Sequence, residues 1–173
     1  SGDTILLKSN WNGNATDEYL LLEYYTPNGL NELDSRLNAP FKLPRIGGVK
    51  VYHVDARTMY EVKEGSINRY YYTNNYDKPQ PWPQVMAHSN SSGPQNGAPG
   101  DNNKLYKLLE PNESKNIDGN FKLANSGSLF QKGHDFGDEH FKDFVFNDTT
   151  TFGYKFFIED INREYATIKI EIL

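Results

Sequence analysis

Ala166-Thr167-Ile168-Lys169-Ile170-Glu171-Ile172 decides the fold: apolar residues take every second position, and Thr, Lys and Glu fill the gaps. Successive side chains on a strand point to opposite faces, so this alternation predicts a strand with one buried and one wet face. Working back along the chain, residues 153–159, 141–146 and 121–123 are further strand candidates. Glu18–Tyr25 is apolar on both faces and stops at Pro27-Asn28-Gly29, which reads as a central strand followed by a turn. Residues 49–56 follow Gly47-Gly48. There Val49, Val51 and His53 share one face, and Tyr52 and Val54 the other. Short runs at 4–8, 67–72 and 84–88 add to the series, and 105–109 reads as either helical or extended. Nine or so short strands between polar turns, roughly, predict an all-β fold, an antiparallel β-sandwich of about eight to nine strands with long loops.

Composition agrees. Aromatic residues make up 14% of the chain, with 12 Tyr and 10 Phe, and these suit pleated, half-buried surfaces better than helices. A length of 173 residues accommodates a single β-domain over 1–173 with a substantial core. Residues 31–45 and the Pro-, Gly-, Asn- and Ser-rich stretch 74–103 read as loops, the second a long surface excursion.

Several function classes are disfavoured. There are no cysteines, so disulfide frameworks, thiolate metal sites and a Cys nucleophile are excluded. The net charge of −5 gives no support for nucleic-acid binding. No segment approaches the roughly 20 apolar residues of a membrane span. The first residues carry neither a basic region nor an apolar run, so the chain is expected to be a piece of a longer protein.

Motifs that carry chemistry are sparse. None of His53, His88, His134 or His140 lies in an HExxH, the helical arrangement that points two His at one zinc. His134-Asp135-Phe136-Gly137-Asp138-Glu139-His140 is dense in potential ligands, making His134, Asp135, Asp138 and His140 weak metal candidates beside the plainer reading of a solvated loop. The Asn-rich turn 10–17 could hold calcium but lacks the D-x-D-x-D-G pattern. GxSxG, GxGxxG and P-loop motifs are absent. His53 and Asp55 share a strand face at i and i+2. They could meet a common partner at a sheet edge or in a cleft, or be a hydrogen-bonded His and a strand-ending Asp.

Three segments form an ordered series: Asp17-Glu18-Tyr19-Leu20-Leu21-Leu22-Glu23-Tyr24, Gly29-Leu30-Asn31-Glu32-Leu33-Asp34, and Gly48-Val49-Lys50-Val51-Tyr52-His53-Val54-Asp55-Ala56-Arg57. The series resembles secreted bacterial metallopeptidases of the immune inhibitor A type, in which an "EYLLxE" and a "GxxIYHVD" strand follow the zinc-binding helix. Ser128-Leu129-Phe130-Gln131-Lys132-Gly133 is similar to that family's "DLFxxG" segment, and Phe152-Gly153-Tyr154 and the terminal strand to the elements that close the region. The likeness spans roughly residues 3–172 and is weakest over 74–103. It implies a secreted or cell-surface bacterial protein whose zinc and HExxH helix would lie upstream, so no catalytic residue carries over and this fragment itself needs no cofactor. The implied partners are the upstream catalytic subdomain and protein or peptide substrates. Glu23, His53 and Asp55, on the motif strands, are the candidates for facing the substrate cleft. An extracellular glycan- or protein-binding module is the competing expectation, resting on Trp11, Trp82 and Tyr70-Tyr71-Tyr72, whose rings could stack on sugars.

Overall fold

The structure, a computed structural model, describes residues 3–11, 13–36, 44–72, 85–87, 104–111 and 124–173. It is all-β, and every strand pairing is antiparallel. One sheet has the order β1 (Thr4–Leu7), β2 (Glu18–Tyr25), β3 (Gly48–Asp55), β7 (Tyr106–Leu109). A second has the order β10 (Ala166–Ile172), β9 (Tyr154–Ile161), β8 (Asp135–Phe136). A third small sheet is formed by β5 (Ile67–Tyr72), β4 (Thr58–Glu64) and β6 (Val85–Met86).

The first two sheets face each other across the main core. From the first come Leu7, Leu20, Leu22, Val49, Val51 and Leu109, and from the second sheet and its loops Phe130, Phe136, Phe141, Phe146, Phe152, Phe156 and Ile158. Phe136 is the hub: its ring stacks on Phe141 at 4.6 Å and on Phe156 at 5.1 Å between centroids. Such offset pairs add to the 1.5–3 kcal/mol, approximately, gained on burying each side chain. A backbone bridge between Val49 and Phe130 joins the two halves. It requires Gly48, because a Cβ there would lie 2.7 Å from the Cβ of Leu129. The other face of β2 and β3 carries a smaller cluster, Tyr52, Val54 and Ala56, with Tyr19, Leu21, Leu105 and Leu108 against it.

Several expectations need correction. Residues 31–45 are not loop throughout: Gly29–Asn31 forms a 3-10 turn and Glu32–Arg36 a short helix, α1, with Arg36 paired to Glu32 one turn away. Residues 141–146 are not a strand but a run of turns with one isolated bridge, Val145 to Thr151. Their phenylalanines reach the core from an irregular backbone, Phe141 adopting φ 57°. The run 105–109 is extended. Two strands, β4 and β8, were not foreseen, the first because Met59, Tyr60, Glu61, Val62 and Lys63 do not alternate cleanly. The decisive terminal strand is real, but its apolar face is only partly covered: Ile170 is 36% and Ile172 81% exposed. The expected strand at 121–123 and most of 74–103 lie outside the described residues.

Candidate functional site

The β2–β3 register sets Glu18 opposite Asp55 and Leu20 opposite His53. Side-chain parity then sends Glu18, Leu20 and Leu22 inward with Val49, Val51, His53 and Asp55. Where the apolar residues run out, the inward positions are occupied by ionisable groups. Glu18 and Asp55 are fully buried, and His53 is nearly so.

Burying two carboxylates is costly unless their lone pairs and charges are matched. The fold matches them. One oxygen of Glu18 accepts from His53 Nε2 at 2.7 Å and from the backbone N–H of Asn147 at 2.5 Å. The other accepts from the N–H of Asp148 at 3.0 Å and lies 3.5 Å from Arg57 Nη2. A carboxylate only accepts, so the His53 proton sits on Nε2. Arg57 forks onto Asp55 with Nε and Nη2, both at 2.7 Å, and Asn147 Nδ2 donates to the same carboxylate at 2.8 Å. Beside this group, buried Lys8 reaches Asp17 at 3.2 Å and Asp148 at 3.0 Å, with its ammonium 4.8 Å from the centre of the Phe146 ring.

Four carboxylates thus meet two permanent cations and one imidazole. Burial opposes the Arg57 charge, but the fork to Asp55 and the fields of Asp55, Glu18 and Tyr72 outweigh it and raise its pKa. Burial likewise opposes the Asp148 charge, and hydrogen bonds from Thr150 and Lys8 outweigh it, lowering that pKa. The His53 ring packs against Phe144 and Phe146 at 5.5 and 6.0 Å. A His held by a carboxylate is half of a proton-transfer pair, but this one is walled in by aromatics, and its partners are committed to one another. Chemically the group acts as a clasp. It joins β2 and β3 to residues 147–148, more than ninety positions away in the chain.

The residues singled out from the sequence fall into three places. His53 and Asp55 enter the clasp and face the sandwich interior. Glu23 lies on the opposite face of the sheet, where Lys50 Nζ approaches it at 3.5 Å. His134, Asp135, Asp138 and His140 form the loop around β8. Sequence reading missed Lys8, Arg57, Asn147 and Asp148 as clasp members. Glu18 shares the parity of Leu20 and Leu22, and a Glu on that apolar face of β2 was the one signal in the sequence for its role.

In the β8 loop, Asp135, Glu139 and His140 present ligand atoms within 4.8 Å of one another. Those of Asp135 are already engaged. Its Oδ1 accepts from the N–H groups of Asp138, Glu139 and His140, and its Oδ2 meets His140 Nδ1 at 3.1 Å. Burial opposes the charge of Asp135, but these bonds outweigh it and lower its pKa. Asp138 turns away to Lys155. His134 Nδ1 accepts from the N–H of Gln131, which makes it the neutral Nε2–H tautomer, and burial and the neighbouring His140 lower its pKa, partly offset by Asp135. A zinc ion would have to displace these bonds, so the residues fit a loop organiser better than a catalytic metal centre. A surface depression at Pro27, Ser35 and Arg45 and another at Lys155, Phe157 and Lys169 both lie away from the clasp.

Compared with known proteins, the chain matches no family model, no curated protein and no solved structure. No helix among the described residues is long and apolar enough to cross a membrane.

Proposed function

We propose that this chain is a non-catalytic β-domain of a secreted metallopeptidase-like protein of the immune inhibitor A type, serving as rigid support for a zinc subdomain contributed by other parts of the protein. The observation that carries the reading is the clasp. Three ionisable residues of the two motif strands, Glu18, His53 and Asp55, are used up in holding those strands to each other and to residues 147–148. Motif residues that interlock strands serve architecture, whereas residues serving chemistry would need an open approach for substrate. Zinc, protein substrates and export belong to this proposal, and calcium is an option within it.

Two measurements test the reading. The purified chain, dialysed against chelator, is expected to retain no stoichiometric zinc and to leave fluorescent casein intact; chelator-sensitive cleavage by this chain alone would overturn it. In the parent gene, an HExxH within about one domain length upstream is expected, and an unrelated upstream module would sink the proposal. A glycan-binding module draws less support, since Tyr71 stacks on Tyr60 and Tyr72 lies under Arg57, which occupies one face of each ring, although Trp11 is 45% exposed; Trp82 lies outside the described residues.

A further inference from the structure

Among the described residues β10 is an edge strand whose apolar face is left partly open, and its sequence is complementary to itself. We infer that the outer edge of β10 is a homotypic docking edge, on which a second copy of this chain adds its own β10 antiparallel across a two-fold axis at Ile170.

Backbone phase comes first. The N–H of Leu173 donates to the carbonyl of Gly153 at 3.0 Å, so odd-numbered residues of β10 direct their N–H and C=O groups toward β9. β9 agrees: Ile158 exchanges bonds with Gly133 and His134 on its other side, leaving its odd-numbered residues for β10. Ile168, Ile170 and Ile172 therefore aim their N–H and C=O groups outward, where no described strand pairs with them. An exposed row of this kind is a template for another strand.

Register follows from charge. With Ile170 opposite the partner's Ile170, each Lys169 lies opposite the other copy's Glu171, and Ile168 lies opposite Ile172. The isoleucines form reciprocal hydrogen-bonded pairs, while Lys169 and Glu171 occupy the closer, non-hydrogen-bonded positions. Moving the axis by one residue to either side sets Lys169 against Lys169, or Glu171 against Glu171, and like charges opposite each other destabilise a ladder. Of these three axes, only the one at Ile170 sets opposite charges face to face. It also covers Ile172, and it is isologous, so it closes as a dimer instead of growing into a fibre. Within one chain Lys169 and Glu171 lie 2.8 Å apart on the wet face, at 57% and 43% side-chain exposure, and so remain accessible to a partner.

The test is sedimentation velocity on the full chain and on three variants. The wild type is expected to pass from monomer to dimer with a dissociation constant on the order of 10–100 µM, as befits a small interface. Lys169→Glu alone, and Glu171→Lys alone, are each expected to weaken self-association roughly tenfold by setting like charges opposite each other. An equimolar mixture of the two is expected to restore dimerisation, because every facing pair is again opposite in sign. Ile170→Pro removes an N–H that the chain's own ladder does not use, so the circular dichroism spectrum should persist while the dimer is lost. A wild type that stays monomeric to about 500 µM overturns the inference, because even the weak interface class would associate there. So does a dimer indifferent to the charge swaps, or a mixture no tighter than its components.

Discussion

Replacing Glu18 with alanine tests the clasp most directly. The substitution strands three donors in the interior, His53 Nε2–H and the N–H groups of Asn147 and Asp148, and removes one of the two carboxylates facing Arg57. Removing one partner of a buried ion pair costs about 3–5 kcal/mol, much of it from the uncompensated groups left behind. With a urea m-value of roughly 2 kcal/mol/M, the unfolding midpoint should fall by about 1.5–2.5 M at nearly unchanged slope. Glu18→Gln, which keeps the shape and one acceptor oxygen but turns an NH2 toward a backbone N–H, should fall by about half as much. Combining Glu18→Ala with His53→Ala should cost less than the two changes separately, because they share one hydrogen bond. A loss for Glu18→Ala below about 1 kcal/mol, the range of an exposed ion pair, would refute the reasoning.

Other consequences can be checked in the same assays. Phe136→Ala, at the hub of the aromatic stack, should cost about 3–5 kcal/mol in urea unfolding, and a loss under about 1 kcal/mol would mean the site collapses without a cavity. Gly48→Ala forces a Cβ against Leu129 and Gln131 and should destabilise by about 1–3 kcal/mol; a neutral result would show that the Val49–Phe130 bridge can shift. The pKa of His134 is lowered in the folded state, so the unfolded chain binds its proton more readily. Stability from this group is then present above the unfolded value of about 6.5 and lost as the pH falls through the lower folded value. A proton NMR titration of the His134 ring should show a midpoint below that of a random-coil His, and a midpoint above it would contradict the packing. Asp148 acts in the same direction at lower pH, because its folded pKa is also depressed. Asp148→Asn should flatten the acid end of the stability profile below about pH 4, and an unchanged profile would remove Asp148 from the account.

The parts of this fold that could be read from sequence were those in which one local rule acted alone. Alternation located β10, and a run apolar on both faces, ended by Pro27-Asn28-Gly29, located β2 as a central strand. Residues 141–146 misled because aromatic side chains mark the core whatever backbone carries them, and Phe141 enters with a left-handed φ. β8 is two residues long and has no periodicity to detect. For the candidate site, parity alone placed His53 and Asp55 on one face, but not which face was inward. The identity of their partners depended on contacts with residues 147–148, and no spacing rule reaches that far.

The same long-range bonds bear on how the chain comes to be folded. Glu18 and Lys8 are made before Asn147 and Asp148, which help to satisfy them and follow 129 to 140 residues later. At a synthesis rate of roughly 5–20 residues per second, Glu18 waits on the order of ten seconds for those partners. In that interval the β1–β2–β3 meander must keep its charged end in water and its leucines uncovered. Closing so long a loop is entropically slow, and contacts this far apart place the chain among the slower folders of its size. The nascent sheet is therefore the form of this protein most exposed to misassociation and most in need of a chaperone.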